Sequence, residues 1–377
     1  MEKVKKAVIL AAGFGTRVLP ASKAIPKEML NIVDKPAIQY IVEEVINSGI
    51  TEILIVLSRG KQEVEDHFDR KPDLEAQLLA GGKTEFYKVV CDIAEMGKNI
   101  TYVRQQMQNG TGGAVMYAKQ FVGNDPFVVI YGDDVIIGDD PCTAQCCRAY
   151  EKYGKAVVSM KEVPFELVLK YCTLDVKPLE DNLYSISDMI EKPKPEEVIS
   201  NFAILGRCVL PAKIFDILAT LPTGAGGEYQ LTDAMKTLAQ NQGVIAVDYE
   251  GKRYDMGNKF GILQANIEVG LKHPDTRDEL KAYLKDISGY DNIFICGPCW
   301  CGTYPMAVFS LIESLNFQGK NVMPLMTHEG SGLGRSMQDI NRICKGAVIK
   351  TGLAVHGADA SKSEQTVTKW AKESLNV

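Results

Sequence analysis

The chain has 377 residues, 46% of them hydrophobic and 24% charged, with a formal net charge of −6. That length predicts two or three domains, and the acidic balance argues against a general nucleic-acid binder, which would be basic. No stretch reaches 18 apolar residues, so no membrane-spanning helix is expected. The charged start "MEKVKK" runs through a short apolar segment into "AGFGTR" without a cleavage-like stretch, so no secretory signal is read. The ten cysteines then fit reduced thiols of a cytoplasmic protein better than a disulfide scaffold.

In chain order, "AVILAA" (7–12) reads as a strand and "AIQYIVEEVINSG" (37–49) as an amphipathic helix. "EILIVLS" (52–58) is a strand and "KQEVEDHF" (61–68) a helix; a polar, hairpin-like region follows. "ITYVRQ" (100–105) is a strand, "GGAVMYAKQFV" (112–122) a helix, and "PFVVIYGDD" (126–134) a strand that ends in acids. This alternation predicts an α/β fold with a mostly parallel sheet and helices on both faces. Ligands of such sheets sit at the carboxyl ends of the strands, here Gly13–Arg17, Arg104–Gln105 and Gly132–Asp134. From 151 to 290 the pattern is more mixed and reads as an extension that completes a site. A polar helical stretch (270–291) makes a junction. A new α/β run then supplies strands near 292–297, 321–328 and 347–355, and helices near 306–315, 336–344 and 363–375.

A strand followed by a glycine loop usually holds phosphate, because backbone N–H groups can approach an anion where no Cβ intervenes. The loop here is neither of the two common kinds. No Gly-Lys-Ser/Thr follows, and Gly13-x-Gly15-x-x places Val18 where a dinucleotide fingerprint needs a third glycine. A bare G-x-G is equally at home in a structural turn. The pairing with Arg17 and Lys27 favours a triphosphate, whose several charges two cations would neutralise. Asp133 and Asp134, at a strand end beside this loop, suit Mg²⁺, a hard cation that prefers oxygen ligands; a solvated turn is the plainer alternative.

The whole string "LAAGFGTRVLPASKAIPKEML" resembles the signature of nucleotidyl-sugar pyrophosphorylases, in particular the bacterial UTP–glucose-1-phosphate uridylyltransferases. The resemblance continues in order through "IVDKPAIQYIVEE", "HFD", "GDD", "EKPKPEE", "NFAILGR", "GAGGEYQLTDA" and "YDMGNKFG". It covers about residues 3 to 285. It implies a Rossmann-like nucleotidyltransferase with a mixed, mostly parallel sheet, in which glucose 1-phosphate attacks the α-phosphate of UTP, giving UDP-glucose and pyrophosphate. Carried over motif by motif, Gly13, Gly15 and Thr16 would wrap the phosphates, and Arg17 and Lys27 would face the triphosphate and the developing charge. Uracil would rest on Ala12–Gly13 and be read by Gln105 and Gly110. Asp133 and Asp255 would hold one Mg²⁺, with Asp134 a neighbour. Glu191 would bind sugar hydroxyls and Lys192 the sugar phosphate, with Asn201 and Glu228 lining the pocket. Gln230 and Asp233 read as structural. The resemblance also implies a homo-oligomer.

Two places depart from the family pattern. The base turn usually reads Gly-Leu-Gly-His-Ala and here is Gly110-Thr111-Gly112-Gly113-Ala114, without the imidazole. In "KYCTLD" the family has glycine where this chain has Cys172, which is expected to crowd the sugar.

Residues 291–377 resemble the second half of a flavodoxin-like domain, with Trp300 and Tyr304 where such domains contact the flavin ring and "THEGSGLG" as a later flavin-side loop. The phosphate loop and first strands of that fold are missing, so tight FMN binding by this chain alone is not expected. The predicted division is a catalytic domain over 1–287 and an incomplete flavodoxin-like tail over 288–377. "CGPCWC" (296–301) reads as flavin-loop replacements and a packed strand residue, not a metal site. The alternatives at this level are a pyrophosphorylase for another nucleotide–sugar pair, such as dTTP with glucose 1-phosphate, a flavin-binding electron-transfer role for the tail, and a weakened, mainly structural fusion.

Overall fold

In the strand Lys6–Ala11, the side chains of Ala7, Ile9 and Ala11 enter one apolar cluster and Val8 enters another. That period of two is what a strand covered on both faces requires. The structure, a computed structural model, describes residues 3–286 and 289–375. Lys6–Ala11 lies inside a nine-stranded sheet, flanked in parallel by Glu52–Leu57 and Phe127–Tyr131. Ile100–Arg104 extends the sheet beyond Glu52–Leu57, again in parallel. On the other side follow Phe202–Leu210, Val157–Glu162, Val244–Asp248, Leu183–Glu191 and Cys172–Glu180. Only Phe202–Leu210 and Leu183–Glu191 run against the rest. The β-like pieces after residue 151 therefore complete the first sheet.

Helices Ala37–Asn47 and Cys142–Tyr153 cover the face that holds Ile9, and Thr111–Met116 and Leu231–Gln242 cover the face that holds Val8. The region between residues 69 and 99 is not hairpin-like. It forms two helices, Pro72–Ala80 and Thr84–Gly97. The first starts on a proline at its first position, where the missing N–H is not needed. In the second, Ile93 and Met96 pack on the core while Phe86 and Val89 stay exposed. Polar surface residues hid this helical period from the sequence reading.

Outside the large sheet, Asp134–Ile137 and Lys252–Asp255 form an antiparallel ribbon whose register sets Asp255 opposite Asp134. This pairing joins two segments that are far apart in the chain.

Contacts divide the chain into Met1–Gly270 and Leu271–Val377, a division that falls ahead of the boundary expected near 287 and groups the helix Arg277–Lys285 with the tail. In the second unit Asn292–Pro298 and Asn321–His328 are parallel neighbours. The expected third strand is split into Val348–Ile349 and Leu353–His356, both parallel to Asn321–His328. Between them Gly352 sits so close to Met337 that a Cβ would lie 2.7 Å from its sulfur. Helices Met306–Ile312, Ser336–Ile343 and Glu364–Leu375 accompany these strands. Tyr304, expected beside a flavin ring, is instead a core residue: its hydroxyl donates into the sheet, with the Ile295 and Leu325 carbonyl oxygens 2.9 and 3.0 Å away. Trp300 is exposed. Among the described residues no helix is long and apolar enough to cross a membrane.

Candidate active site

The carboxyl ends of Lys6–Ala11, Ile100–Arg104 and Phe127–Tyr131 lie on one side of the sheet because those strands and Glu52–Leu57 are parallel. Gly15, with φ of 69°, turns the chain out of the first strand in the left-handed region that favours glycine. The loop then returns over the strand end through the short turns Thr16–Val18 and Lys27–Met29. The return brings Lys27 to the strand that ends in acids: Lys27 Nζ lies 2.5 Å from Asp133 Oδ2. Arg17 lies over the same carboxylates, 3.8 Å from Asp133 Oδ2 and 3.7 Å from Asp255 Oδ2. The ribbon supplies Asp255, and the Met256 N–H donates to the Asp133 carbonyl at 2.9 Å.

Four of the expected residues thus converge: Arg17, Lys27, Asp133 and Asp255. Gly13 belongs with them, since a Cβ there would lie 3.6 Å from Lys27 Nζ. Thr16 is exposed on the loop. Burial by itself would raise the Asp133 carboxyl, but Lys27 and Arg17 outweigh it and hold the group below the ordinary carboxylate value. Asp134 points elsewhere. Its carboxylate is buried 2.5 Å from Arg253 Nε, and burial raises its pKa against the pull of Arg253 and Arg207.

Gly257 lies in the motif "YDMGNKFG", where its residue type alone signals no role. A Cβ on it would lie 2.4 Å from Arg17 Nη2, 2.6 Å from Asp133 Oδ2 and 2.8 Å from Asp255 Oδ1. Its N–H donates to Asp255 Oδ1 at 2.8 Å. The missing side chain leaves the room in which those three groups meet. Two hard carboxylates around such a cradle fit a divalent cation whose remaining ligands come from phosphate and water.

The loop rests on a buried ion pair that nothing in the sequence flagged. Glu28 is fully buried, and Lys61 Nζ donates to both of its oxygens at 2.9 and 2.8 Å and to the Ala11 carbonyl at 2.5 Å. Burial pushes Glu28 up and Lys61 down, each against the pull of the other. Lys61 thereby pins the last carbonyl of the first strand directly before Ala12.

Gln105 and Gly110 occupy the end of Ile100–Arg104, two strands from Lys6–Ala11, and the loop after it. Gln105 is 5% exposed, and its Nε2 donates to the Met107 carbonyl at 2.9 Å. Gln108, also unforeseen, reaches back to the Ala12 carbonyl at 2.6 Å and ties this loop to the glycine loop. Gly110 has φ of 103°, and a Cβ there would lie 2.5 Å from the Tyr229 carbonyl oxygen. Only glycine fits, and the close approach zips the loop to the segment before Leu231–Gln242. Tyr229 N–H donates to the Asn109 carbonyl and Gly112 N–H to the Tyr229 carbonyl, both at 2.8 Å. Glu228 is exposed at this seam and accepts from Gln230 Nε2 at 3.1 Å.

Glu191 ends its strand beside Thr232. Burial raises its carboxyl above the ordinary glutamate value, opposed by a hydrogen bond from Thr232 and by Lys192. Lys192 takes a left-handed backbone with φ of 44°, its N–H donating to the Tyr171 carbonyl at 2.8 Å. Asn201 is exposed, and among the described residues no hydrogen bond joins its side chain to Glu191 or Lys192. Cys172 pairs across the sheet with Glu191, but it is 2% exposed, and the Ile204 N–H donates to its sulfur at 3.2 Å. Burial pushes this thiol up to about 12. It presents almost no surface to a ligand, so the expected crowding of the sugar is replaced by core packing.

A family model described as "Nucleotidyl transferase" matches residues 6–270. The chain belongs to the nucleotidyl transferase family. A UTP–glucose-1-phosphate uridylyltransferase from Bacillus subtilis is 48% identical over 286 residues, covering 76% of this chain and 96% of that one. One from Staphylococcus epidermidis is 46% identical over 287 residues, covering 76% and 99%. Among solved structures, a UDP-glucose pyrophosphorylase complexed with UDP-glucose is 39% identical with a TM-score of 0.64, covering 72% of this chain and 100% of that one. A UTP-bound UGPase from Acinetobacter baumannii is 35% identical with a TM-score of 0.68, covering 75% and 99%. A flavodoxin family model matches residues 249–374, overlapping the end of the nucleotidyl transferase.

Proposed function

We propose that the first unit of this nucleotidyl transferase moves the uridylyl group of UTP onto glucose 1-phosphate, giving UDP-glucose and pyrophosphate. The convergence of Arg17, Lys27, Asp133 and Asp255 over the room left by Gly257 carries this reading. In the reaction an oxygen of the sugar phosphate forms a bond to the α-phosphorus as the α–β bridging bond breaks, and pyrophosphate leaves with that electron pair. Such a transfer needs in-line positioning and neutralisation of charge more than covalent help.

Asp133 and Asp255 would hold Mg²⁺, which supplies neutralisation at the α-phosphate. With the carboxylates so engaged, Arg17 and Lys27 would turn to the phosphate oxygens, and the N–H groups of Gly13, Gly15 and Thr16 would wrap them. Ala12 and Gly13 would support the uracil, which Gln105 and Gly110 read. Glu191 would accept from sugar hydroxyls and Lys192 would pair with the sugar phosphate, with Asn201 and Glu228 at the pocket wall. The chain would work as a homo-oligomer in the cytoplasm.

Pyrophosphate release from UTP and glucose 1-phosphate tests the reading, with dTTP as competitor for the neighbouring specificity. The tail is read as an incomplete flavodoxin-like unit without tight FMN binding of its own. A purified chain carrying stoichiometric yellow flavin would contradict that part.

A further inference from the structure

The base loop departs from its family pattern at Gly113, and the structure shows what fills that room. A Cβ on Gly113 would lie 1.9 Å from Asn109 Oδ1 and 2.6 Å from Asn109 Cγ. The Asn109 carboxamide therefore lies directly over Gly113. The backbone of Asn109 is anchored separately, its carbonyl accepting from Tyr229 N–H at 2.8 Å. The same carboxamide oxygen reaches Gln105, whose Nε2 lies 2.9 Å from the Met107 carbonyl and 3.5 Å from Asn109 Oδ1.

The Gln105 amide nitrogen thus faces two protein acceptors, the Met107 carbonyl closely and Asn109 Oδ1 at the edge of hydrogen-bond range. A primary amide has two donors and one acceptor oxygen. With the nitrogen turned to the protein, Oε1 is the atom left for a ligand, and the hydrogen bonds of this amide to the described residues run through its nitrogen. Turning the amide over would set Oε1 against the Met107 carbonyl, acceptor against acceptor, and would oblige the Asn109 carboxamide to turn as well.

We propose that Asn109, seated over Gly113, is a positioning residue that holds the Gln105 amide with its oxygen toward the base and thereby selects a pyrimidine carrying an N3–H. The inference rests on reading the Gln105 pocket as the base pocket. Uracil and thymine donate from N3. Cytosine carries a lone pair there and would meet Oε1 acceptor to acceptor. A buried polar group committed to one orientation rejects the mismatched ligand more strongly than apolar packing does. Gly113 is part of the device, because any side chain there displaces the carboxamide.

The test is calorimetric titration of the full chain with UTP and with CTP, which needs no turnover. The wild-type chain binds UTP more tightly than CTP. Asn109→Leu keeps the bulk but removes the acceptor, and it lowers the UTP-to-CTP affinity ratio by about tenfold, the equivalent of one hydrogen bond. Asn109→Asp keeps an acceptor and preserves the ratio, whatever its effect on absolute affinity. Gly113→Ala reaches the same loss of ratio by a second route, with circular dichroism confirming the fold. A wild-type chain that binds CTP as well as UTP overturns the proposal, as does an Asn109→Leu chain that keeps the ratio. A chain that prefers UTP, loses the preference in Asn109→Leu and yet releases no pyrophosphate overturns the catalytic reading and supports this one.

Discussion

At the scale of single residues, the site depends as much on an absent side chain as on the charged ones. Gly257→Ala would push a methyl group into Arg17, Asp133 and Asp255 at once. A misplacement of about 1 Å at reacting groups costs about 10²-fold in rate. Gly257→Ala is therefore expected to lose about 10²-fold in kcat with little change in the thermal melt; an unimpaired rate would remove Gly257 from the site. Glu191 gives a pH dependence of defined sign. Its carboxyl is raised by burial, so as pH falls it protonates before an ordinary glutamate would and, in the proposed role, would stop accepting from sugar hydroxyls. The Michaelis constant for glucose 1-phosphate should rise on that acid limb, while Glu191→Gln flattens it. Folding disfavours the ionised form of this group, so its ionisation costs stability above its folded pKa and that cost is relieved as pH falls through it. Glu191→Gln should then melt no lower than wild type at neutral pH, and a clear loss of stability would contradict the buried-carboxylate account.

At the scale of elements, buried charges hold the acid-bearing turn. Arg207 is fully buried; its Nε donates to Glu44 at 3.0 Å and its Nη2 pairs with the other Glu44 oxygen. Arg207 Nη1 donates to the Asp134 carbonyl at 2.7 Å, and Thr143 N–H caps Glu44 at 2.9 Å. Helices Ala37–Asn47 and Cys142–Tyr153 are thereby clamped to the turn that carries Asp133. Arg207→Met strands a buried carboxylate and is expected to cost about 3–5 kcal/mol in urea unfolding, most of it recovered when Glu44→Leu is added. Equal instability of the double variant would show that the loss is one of packing. These elements also show what a sequence can reveal. Strand alternation and the glycine loop were legible because period and loop chemistry are local. The meeting of Asp133 with Asp255 was reachable only through resemblance, since it depends on ribbon register. Lys61, Gln108 and Arg207 carried no signal: each acts through a partner distant in the chain, and a lone lysine, glutamine or arginine reads as surface. Cys172 shares a sheet face with Glu191, and its burial in the apolar cluster beside Ile204 depends on long-range packing that a lone cysteine does not signal.

At the scale of the whole molecule, the chain joins a unit with a known family to a second unit with its own small core around Ile295, Phe309, Val322 and Ile340. The Bacillus subtilis relative is covered over 96% of its length by 286 aligned residues, which leaves it no length for a counterpart of this tail. A chain ending at residue 287 should therefore keep the pyrophosphate-releasing activity, and its loss on truncation would make the tail part of the enzyme. The uridylyl transfer proposed for the first unit rests on four charged residues on one side of the large sheet. Its most direct test is pyrophosphate release from UTP and glucose 1-phosphate by the full chain with Mg²⁺, beside Lys27→Ala and Asp255→Asn. Uridylyl transfer through this site should give release that requires both substrates and falls by about 10²–10³-fold in either variant. No release from the unaltered chain, or release undiminished in both variants, would contradict it.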